Sequence, residues 1–362
     1  MVPRARAASV AVVAFAAAAA VAAPATWAAP SAARVHVVAQ HLDGPFGLAS
    51  ARGGHSGLVV AESDTGEVTR VALDGSKWAI LKGAPGVAGA ATGPHNVFAV
   101  TGGPNEEGAP SGGKYGPSRV LRISYDGKHV KVIANLLRYE KLHNPDGQVQ
   151  LVHGHPVDAL SNPFAMTSSR YGLFVADGGA NDVLRVNPRT GHVSTFFAPP
   201  TVKNVPACKG PDANANPGTK GCDPVPTGVQ VLGGSVYIST LGGEAPQAGR
   251  IYKLSARTGK IQRVWSGFTA PTGVAVRRDG TIYFSEVLFG APEGDPGPGF
   301  DPSSIGRITR IHNGHITHAQ VTMPTGLLLR GGHLYASAWS IGSFLGIAHA
   351  GQIVRVPEVS FH

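Results

Sequence analysis

One phrase recurs along this chain: a proline, usually a glycine two residues later, an apolar run, a short turn and a strand of β-branched or aromatic residues. "PTGVAVRRDGTIYFSE" begins at Pro271, "PTGVQVLGGSVYIST" at Pro226, "PTGLLLRGGHLYASA" at Pro324 and "PFAMTSSRYGLFVAD" at Pro163. Pro45 opens another copy. Pro85 opens a degenerate one, "PGVAGAATGPHNVFAVT", which keeps the strand and loses the tidy turn. A variable loop follows, then a third strand ("SRVLRISY", "NDVLRVNP", "GRIYKLSA", "GRITRIHN") and, past a tight turn, a fourth ("GHVSTFF", "GKIQRVW", "GHITHAQ"). Apolar and polar residues alternate at period two, as in a strand with one buried face. "DG" at 74–75, 126–127 and 279–280 and "NG" at 313–314 mark hairpins, because glycine accepts positive φ.

Each unit reads as a four-stranded antiparallel meander, which cannot bury both of its faces alone. Six packed radially about an axis can. The expected fold is therefore all-β, a six-bladed β-propeller spanning 33–359, with blades starting at Pro45, Pro85, Pro163, Pro226, Pro271 and Pro324. The sixth unit stops one strand short, at "IVRVPEVSFH", while "ARVHVVAQHL" (33–42) is an orphan strand pattern ahead of the first proline. Residues 34–40 are expected to supply the missing outer strand and close the ring, leaving no exposed edge.

Residues 1–28 read as an export signal. "MVPRAR" is basic, "AASVAVVAFAAAAAVAA" is apolar, and small residues offer cleavage near Ala25 or Ala28. An uncleaved anchor is the other reading; no later stretch is apolar and long enough to span a bilayer. Export implies a secreted or extracytoplasmic bacterial protein without stable membrane insertion. In that oxidising setting Cys208 and Cys222, in "CKGPDANANPGTKGC", are expected to form a disulfide stapling one loop. The net charge of +9 falls by two when Arg4 and Arg6 leave with the signal. The remaining bases are scattered singly, unlike the clustered footprint of a nucleic-acid binder. A monomer is expected.

The repeat sorts the loops by face. Turns joining strands 1–2 and 3–4 are short throughout. Every insertion (102–117, 136–161, 198–224, 241–248, 287–304 and 340–350) falls between strands 2 and 3 or between blades, hence on the opposite face. Binding residues concentrate on loops held by a rigid scaffold, so this is the expected working face. The second strands close with Glu62, Thr101, Asp177, Thr240, Glu286 and Ala338. Glu62, Asp177 and Glu286 on one rim can hold a calcium-type divalent ion or act as acid and base. Strand-ending acids equally often accept backbone N–H bonds from the next turn. The segment 139–163 adds Glu140, His143, Asn144, Asp146, His153, His155, Asp158 and Asn162; its His-x-His alone is a weak zinc signal. No Gly-x-Ser-x-Gly elbow, P-loop or HExxH is present.

"HNPDG" (143–147), "SNPFAM" (161–166), "LFVADGGANDVLRVNPRTG" (173–191) and "VPTGVQV…VYISTLGG…GRIYKL" (225–254) resemble the ScyD/ScyE family over about residues 35–357. That resemblance implies an exported six-bladed propeller and no defined reaction. More distantly the blades are similar to NHL repeats, SMP-30-type lactonases and streptogramin lyases, whose axial acids and amides work with a divalent metal. The acid–Asn–Asn–Asp set of the lactonases cannot be placed here. The expected function is binding of a small organic or cell-envelope ligand on the long-loop face, with Asn144, Asp146, Asn162, Asp177, Glu286 and Glu62 at its rim. No cofactor is required for this. The alternatives are a metal-dependent lactonase or lyase using Glu62, Asp177 and Glu286, and a protein-interaction scaffold.

Overall fold

The computed structural model describes residues 35–52, 55–104, 112–152, 155–157, 160–210, 213–214, 216–292, 294 and 299–362. The proposed signal, 1–28, lies outside the described residues, as do His153 and Asp158.

Six four-stranded antiparallel sheets form the ring of a β-propeller. Blades 1 to 5 span 45–81, 87–135, 163–197, 226–268 and 271–319; blade 6 takes three strands from 327–356 and its outermost strand from the start of the chain. That closing strand, His36–Leu42, pairs antiparallel with Gly351–Val356, His36 opposite Arg355 and Leu42 opposite Gly351. It runs two residues further than the expected 34–40, because two irregularities in register let the chain reach Leu42 before turning into blade 1.

The alternation in the sequence becomes six apolar seams, one between each pair of neighbouring blades. Val59 and Ala61 meet Val97 and Leu121 between blades 1 and 2; Phe98 and Val100 meet Leu173 and Val175 between 2 and 3. Phe174 packs with Ile238, Tyr237 with Phe284, and Tyr283 with Leu334 around the next three. Ala39 and Leu42 of the closing strand join Leu58 and Tyr335 in the last.

The recurring Pro-x-Gly has a mechanical cause. In four blades the proline opens the innermost strand opposite the last residue of the second: Pro45 faces Glu62, Pro163 faces Asp177, Pro226 faces Thr240 and Pro271 faces Glu286. The glycine lets adjacent innermost strands touch near the axis. A Cβ on Gly228 would lie 2.1 Å from the carbonyl oxygen of Thr272, and one on Gly273 2.1 Å from that of Thr325. The intervening threonine links blade to blade: Thr227 donates to the Pro271 carbonyl (2.8 Å), Thr272 to Pro324 (3.1 Å) and Thr325 to Pro45 (3.2 Å). Blade 6 departs from the expectation, its first strand starting at Leu327 and not at Pro324. Blade 2 departs as well. Its first strand starts at Val87, which faces Thr101, not at Pro85. Pro85 belongs to the connector, where its carbonyl accepts from Gly112 N–H, and Gly86 makes the left-handed turn into the strand.

The axis itself is narrow. Phe46 and Phe164 meet edge to face with ring centroids 5.0 Å apart, and the cavity they share with Thr227, Gly273 and Thr325 is about 50 Å³. That volume suits one or two water molecules and no organic ligand.

The long connections lie together on the face where the innermost strands begin. Two of them carry structure of their own. In 136–161, helix α1 (Leu136–His143) is capped by Asn135, whose side chain accepts from Arg138 N–H, and is ended by Asn144 in the left-handed conformation. A two-stranded hairpin, Gln150–Val152 with His155–Val157, follows. In 198–224, Cys208 and Cys222 form the expected disulfide, with Cα atoms 5.0 Å apart. Val202, Val205 and Ala248 pack around it. Replacing both cysteines by serine should lower stability by about 2–3 kcal/mol, the scale of a loop this short, and leave the blades intact. Urea denaturation read by far-ultraviolet circular dichroism checks this; loss of the cooperative transition would contradict it.

Candidate functional site

The site is built on one position of the repeat, the last residue of each second strand, which in blades 1, 3 and 5 faces the first residue of the third. Glu62, Asp177 and Glu286 hold this position in blades 1, 3 and 5, and all three are buried. Each reaches the connector that brings the chain into its blade. Glu62 accepts from Asp43 N–H (2.8 Å) and from the Thr69 hydroxyl. Asp177 accepts from Asn162 N–H (2.6 Å), Ser161 Oγ (2.6 Å) and Ala180 N–H (3.2 Å). Glu286 accepts from Thr269 N–H (2.9 Å) and the Thr309 hydroxyl, and pairs with Arg307 Nε at 2.6 Å. The strand-ending acid as a clamp on the next turn, one of the two readings of the sequence, is what these bonds describe. The three carboxylates are not gathered into one shell. Among the described residues no group of three His, Cys, Asp or Glu side chains is spaced to hold a metal ion.

Blade 3 does gather the other nominated residues. Asp146 accepts from Gln148 N–H (3.0 Å) and from Asn181 Nδ2 (3.1 Å), and Asn144 Nδ2 donates to the Gln148 carbonyl (3.1 Å). Asn162 Oδ1 accepts from Gly103 N–H (2.8 Å), joining the blade 2 loop to blade 3. The network runs on into the stapled loop: Asn216 Nδ2 reaches Gln148 Oε1 (2.9 Å), Asn214 Nδ2 reaches Asp223 Oδ1 (2.8 Å), and Val225 N–H reaches Asn181 Oδ1 (3.1 Å). Asn144, Asp146, Asn162 and Asp177 thus share a neighbourhood, while Glu62 and Glu286 sit in blades of their own.

The electrostatics of that neighbourhood are one-sided. Burial pushes the Glu140 carboxyl up to about 9, with Asp177 and Asp146 adding repulsion. Burial raises Asp177 to about 6 against the pull of its hydrogen bonds, and holds Asp182 well above the ordinary aspartate range. Asp146 and Asp223 are raised for the same reason. Sequence reasoning passed over Asp182, Asn181, Gln148, Asn216 and Asp223. Asp182 had a signal: at the first position of the third strand, "NDV" stands where blades 2, 4 and 5 have "SRV", "GRI" and "GRI".

Blades 4 to 6 make the other half of this face, and it is apolar. Val225, Ala270 and Met323, each directly before an anchor proline and each at positive φ, are buried in one cluster with Leu241, Val287 and Ile305. Leu288, Phe300, Trp339, Ile341 and Leu345, from the loops 287–306 and 339–350, lie half-buried on top of it.

Ring, seams and clamped connectors define a six-bladed β-propeller whose long loops share one face. No protein-family model matches the chain and no curated protein matches it in sequence, so the ScyD/ScyE resemblance rests on the motifs quoted above. Solved structures do match. A luciferin-regenerating enzyme superposes with a TM-score of 0.55 at 10% identity, over 91% of this chain and 96% of that one. A gluconolactonase from Xanthomonas campestris gives 0.53 at 12% identity, over 90% of each. The PQQ-bound aldose sugar dehydrogenase from Streptomyces coelicolor gives 0.50 at 16%, over 90% and 99%. At these identities the likeness is one of fold. The disulfide is compatible with an extracytoplasmic protein, and among the described residues no helix is long and apolar enough to cross a membrane.

Proposed function

We propose that this is an exported binding propeller that holds a small organic or cell-envelope ligand on its long-loop face. The observation that carries the proposal is the half-buried apolar surface of Leu288, Phe300, Trp339, Ile341 and Leu345, set beside the narrow axis and opposite the amide- and acid-rich half. Apolar side chains left partly in water and bordered by convergent polar groups suit an organic molecule with a polar edge. Asn162 and Asp146, half-buried, are the polar residues best placed for that edge. Asp177, Glu286 and Glu62 support the connectors beneath it. Binding is favoured over catalysis because all three acids already hold backbone N–H groups and are closed to solvent.

The test uses 1-anilinonaphthalene-8-sulfonate as the probe. Saturable binding at micromolar concentration is expected, weakened about tenfold or more by Trp339→Ser and unchanged by Trp78→Ser, since Trp78 lies on an outermost strand. Equal binding by both variants would refute the apolar site. Turnover of glucono-1,5-lactone by the purified protein would replace the binding reading with an enzymatic one.

A further inference from the structure

Asp177 and Asp182 face each other across the second and third strands of blade 3, and both are 0% exposed. The same pair of positions is Glu286 and Arg307 in blade 5, and Thr240 and Arg250 in blade 4. Blade 1 also faces two acids, Glu62 and Glu67, but Glu67 is partly exposed and meets Lys82 at 2.9 Å. Blade 3 alone among these buries both acids with no basic partner. Like charges directly opposite in a sheet are destabilising, and a buried charge is ordinarily paired, neutralised or bound to a metal.

Asp177 is satisfied by its donors. Asp182 is not: neither of its oxygens has a hydrogen-bond partner. Glu140, on α1, is 1% exposed and near enough for its charge to oppose that of Asp182, and its Oε2 has no partner either. One helical turn further on, Asn144 Oδ1 is buried and unpartnered, while its Nδ2 donates to Gln148. With Arg70 Nε, far away in blade 1, these four oxygens are all the buried unpartnered side-chain polar atoms among the described residues. Orphaned polar atoms are rare and each needs a cause. Here four acceptors and no donor come from α1 with its cap and from the third strand of blade 3, which share one apolar cluster through Leu136, Leu184 and Val186.

We infer that Asp182, Glu140 and Asn144 supply side-chain oxygens to a buried divalent cation of the calcium type, which pins helix α1 onto blade 3. Two carboxylates neutralise a dication. Asp182 binding through both oxygens, Glu140 Oε2 and Asn144 Oδ1 make four of the six to eight oxygens such an ion takes. An all-oxygen set without imidazole or thiolate selects a hard ion over zinc. Asp177 and Asp146 stay with their N–H and O–H donors, so only two carboxylates are free, fewer than a three-carboxylate cluster. Two protons are the competing way to remove the charge, and they would also turn each acid into a donor for a neighbouring oxygen. Full burial keeps the ion from any substrate, so its role is structural and independent of the ligand face.

The test is calorimetric titration of the full purified protein, first stripped with EGTA, with calcium chloride and then magnesium chloride. One calcium per chain at micromolar affinity is expected, with a rise in melting temperature of about 5 °C at a hundredfold excess over Kd. Asp182→Asn should weaken binding more than tenfold while melting in EGTA no lower than the wild type, because it removes a buried like charge. Glu140→Gln should do the same. No uptake of either ion by the wild type would overturn the site and assign protons to these acids. Wild-type affinity in a folded Asp182→Asn variant would overturn it as well.

Discussion

Deleting residues 35–42 is expected to abolish folding, an outcome well beyond partial destabilisation. The closing strand is the outer strand of blade 6 and also part of the seam to blade 1. Leu42 and Ala39 are buried against Leu58, Val60, Tyr335 and Ile353, and Lys77 Nζ holds the carbonyl of Gln40 (2.8 Å) and that of His41. Losing a leucine and an alanine from this core costs about 3–5 kcal/mol in burial and cavity terms. The ladder to Gly351–Val356 goes with them, leaving an unpaired edge that invites association. Total stability of a domain is about 5–15 kcal/mol, so little remains. In a ring the loss is also not local, because each blade's buried faces exist only against its two neighbours. Size-exclusion chromatography and thermal melting of the truncated protein check this. A soluble monomer melting within about 5 °C of the parent would show that the seam contributes little. Leu42→Ala, a milder change at the same seam, should cost about 3 kcal/mol and still fold.

The architecture was legible because the repeat writes its own geometry. Pro-x-Gly marks where an innermost strand starts and how near its neighbour lies, period two marks the faces, and the shortfall at one end matches the surplus at the other. Blade 2 was misplaced by two residues because Pro85 looks like an anchor in sequence, yet serves the connector that glycine must turn at Gly86. Helix α1 was missed because eight residues carry too little periodicity to outweigh the Asn, Pro and Gly around them, although Asn135 was a readable cap. The site was legible only in part. Reading each acid along its own strand left Glu62, Asp177 and Glu286 open between a converging trio and clamps on the next turn. What decides their role is the residue across the ladder and the connector folded over it: Arg307 for Glu286, Thr69 and the Asp43 amide for Glu62, Asp182 for Asp177. Comparing the first residue of the third strand from blade to blade would have exposed Asp182. No pattern within 198–224 announces that Asn216 would meet Gln148, since that contact depends on how two insertions from different blades settle together.

Gly273→Ala should cost about 3–5 kcal/mol, although the added group is one methyl and the backbone there has an ordinary negative φ. The cause is space alone. The new Cβ would lie 2.1 Å from the Thr325 carbonyl oxygen, 3.0 Å from Leu327 N and 3.1 Å from Ser285 Oγ. Neither backbone atom can move by itself. Ser285 is held to the Thr325 carbonyl (2.7 Å) and to Gly273 N–H (2.7 Å), and Thr325 is tied in turn to Pro45 (3.2 Å), so relief at one blade strains the next two. Overpacking usually costs about 1–3 kcal/mol, and a rigid backbone contact places this case at or above the upper end. Two substitutions separate this cause from a general intolerance of change. Blade 3 carries Ala165 where the other blades have glycine, so Ala165→Gly removes a methyl the ring already accommodates and should cost about 1 kcal/mol. Gly314 sits at φ +82° in an outer turn with open space around it, so Gly314→Ala should cost about 1 kcal/mol through backbone strain alone. Urea denaturation of the three variants ranks them. If Gly273→Ala falls with the other two, the innermost strands can spread at the axis, and the glycine of the repeat would need an explanation other than close approach.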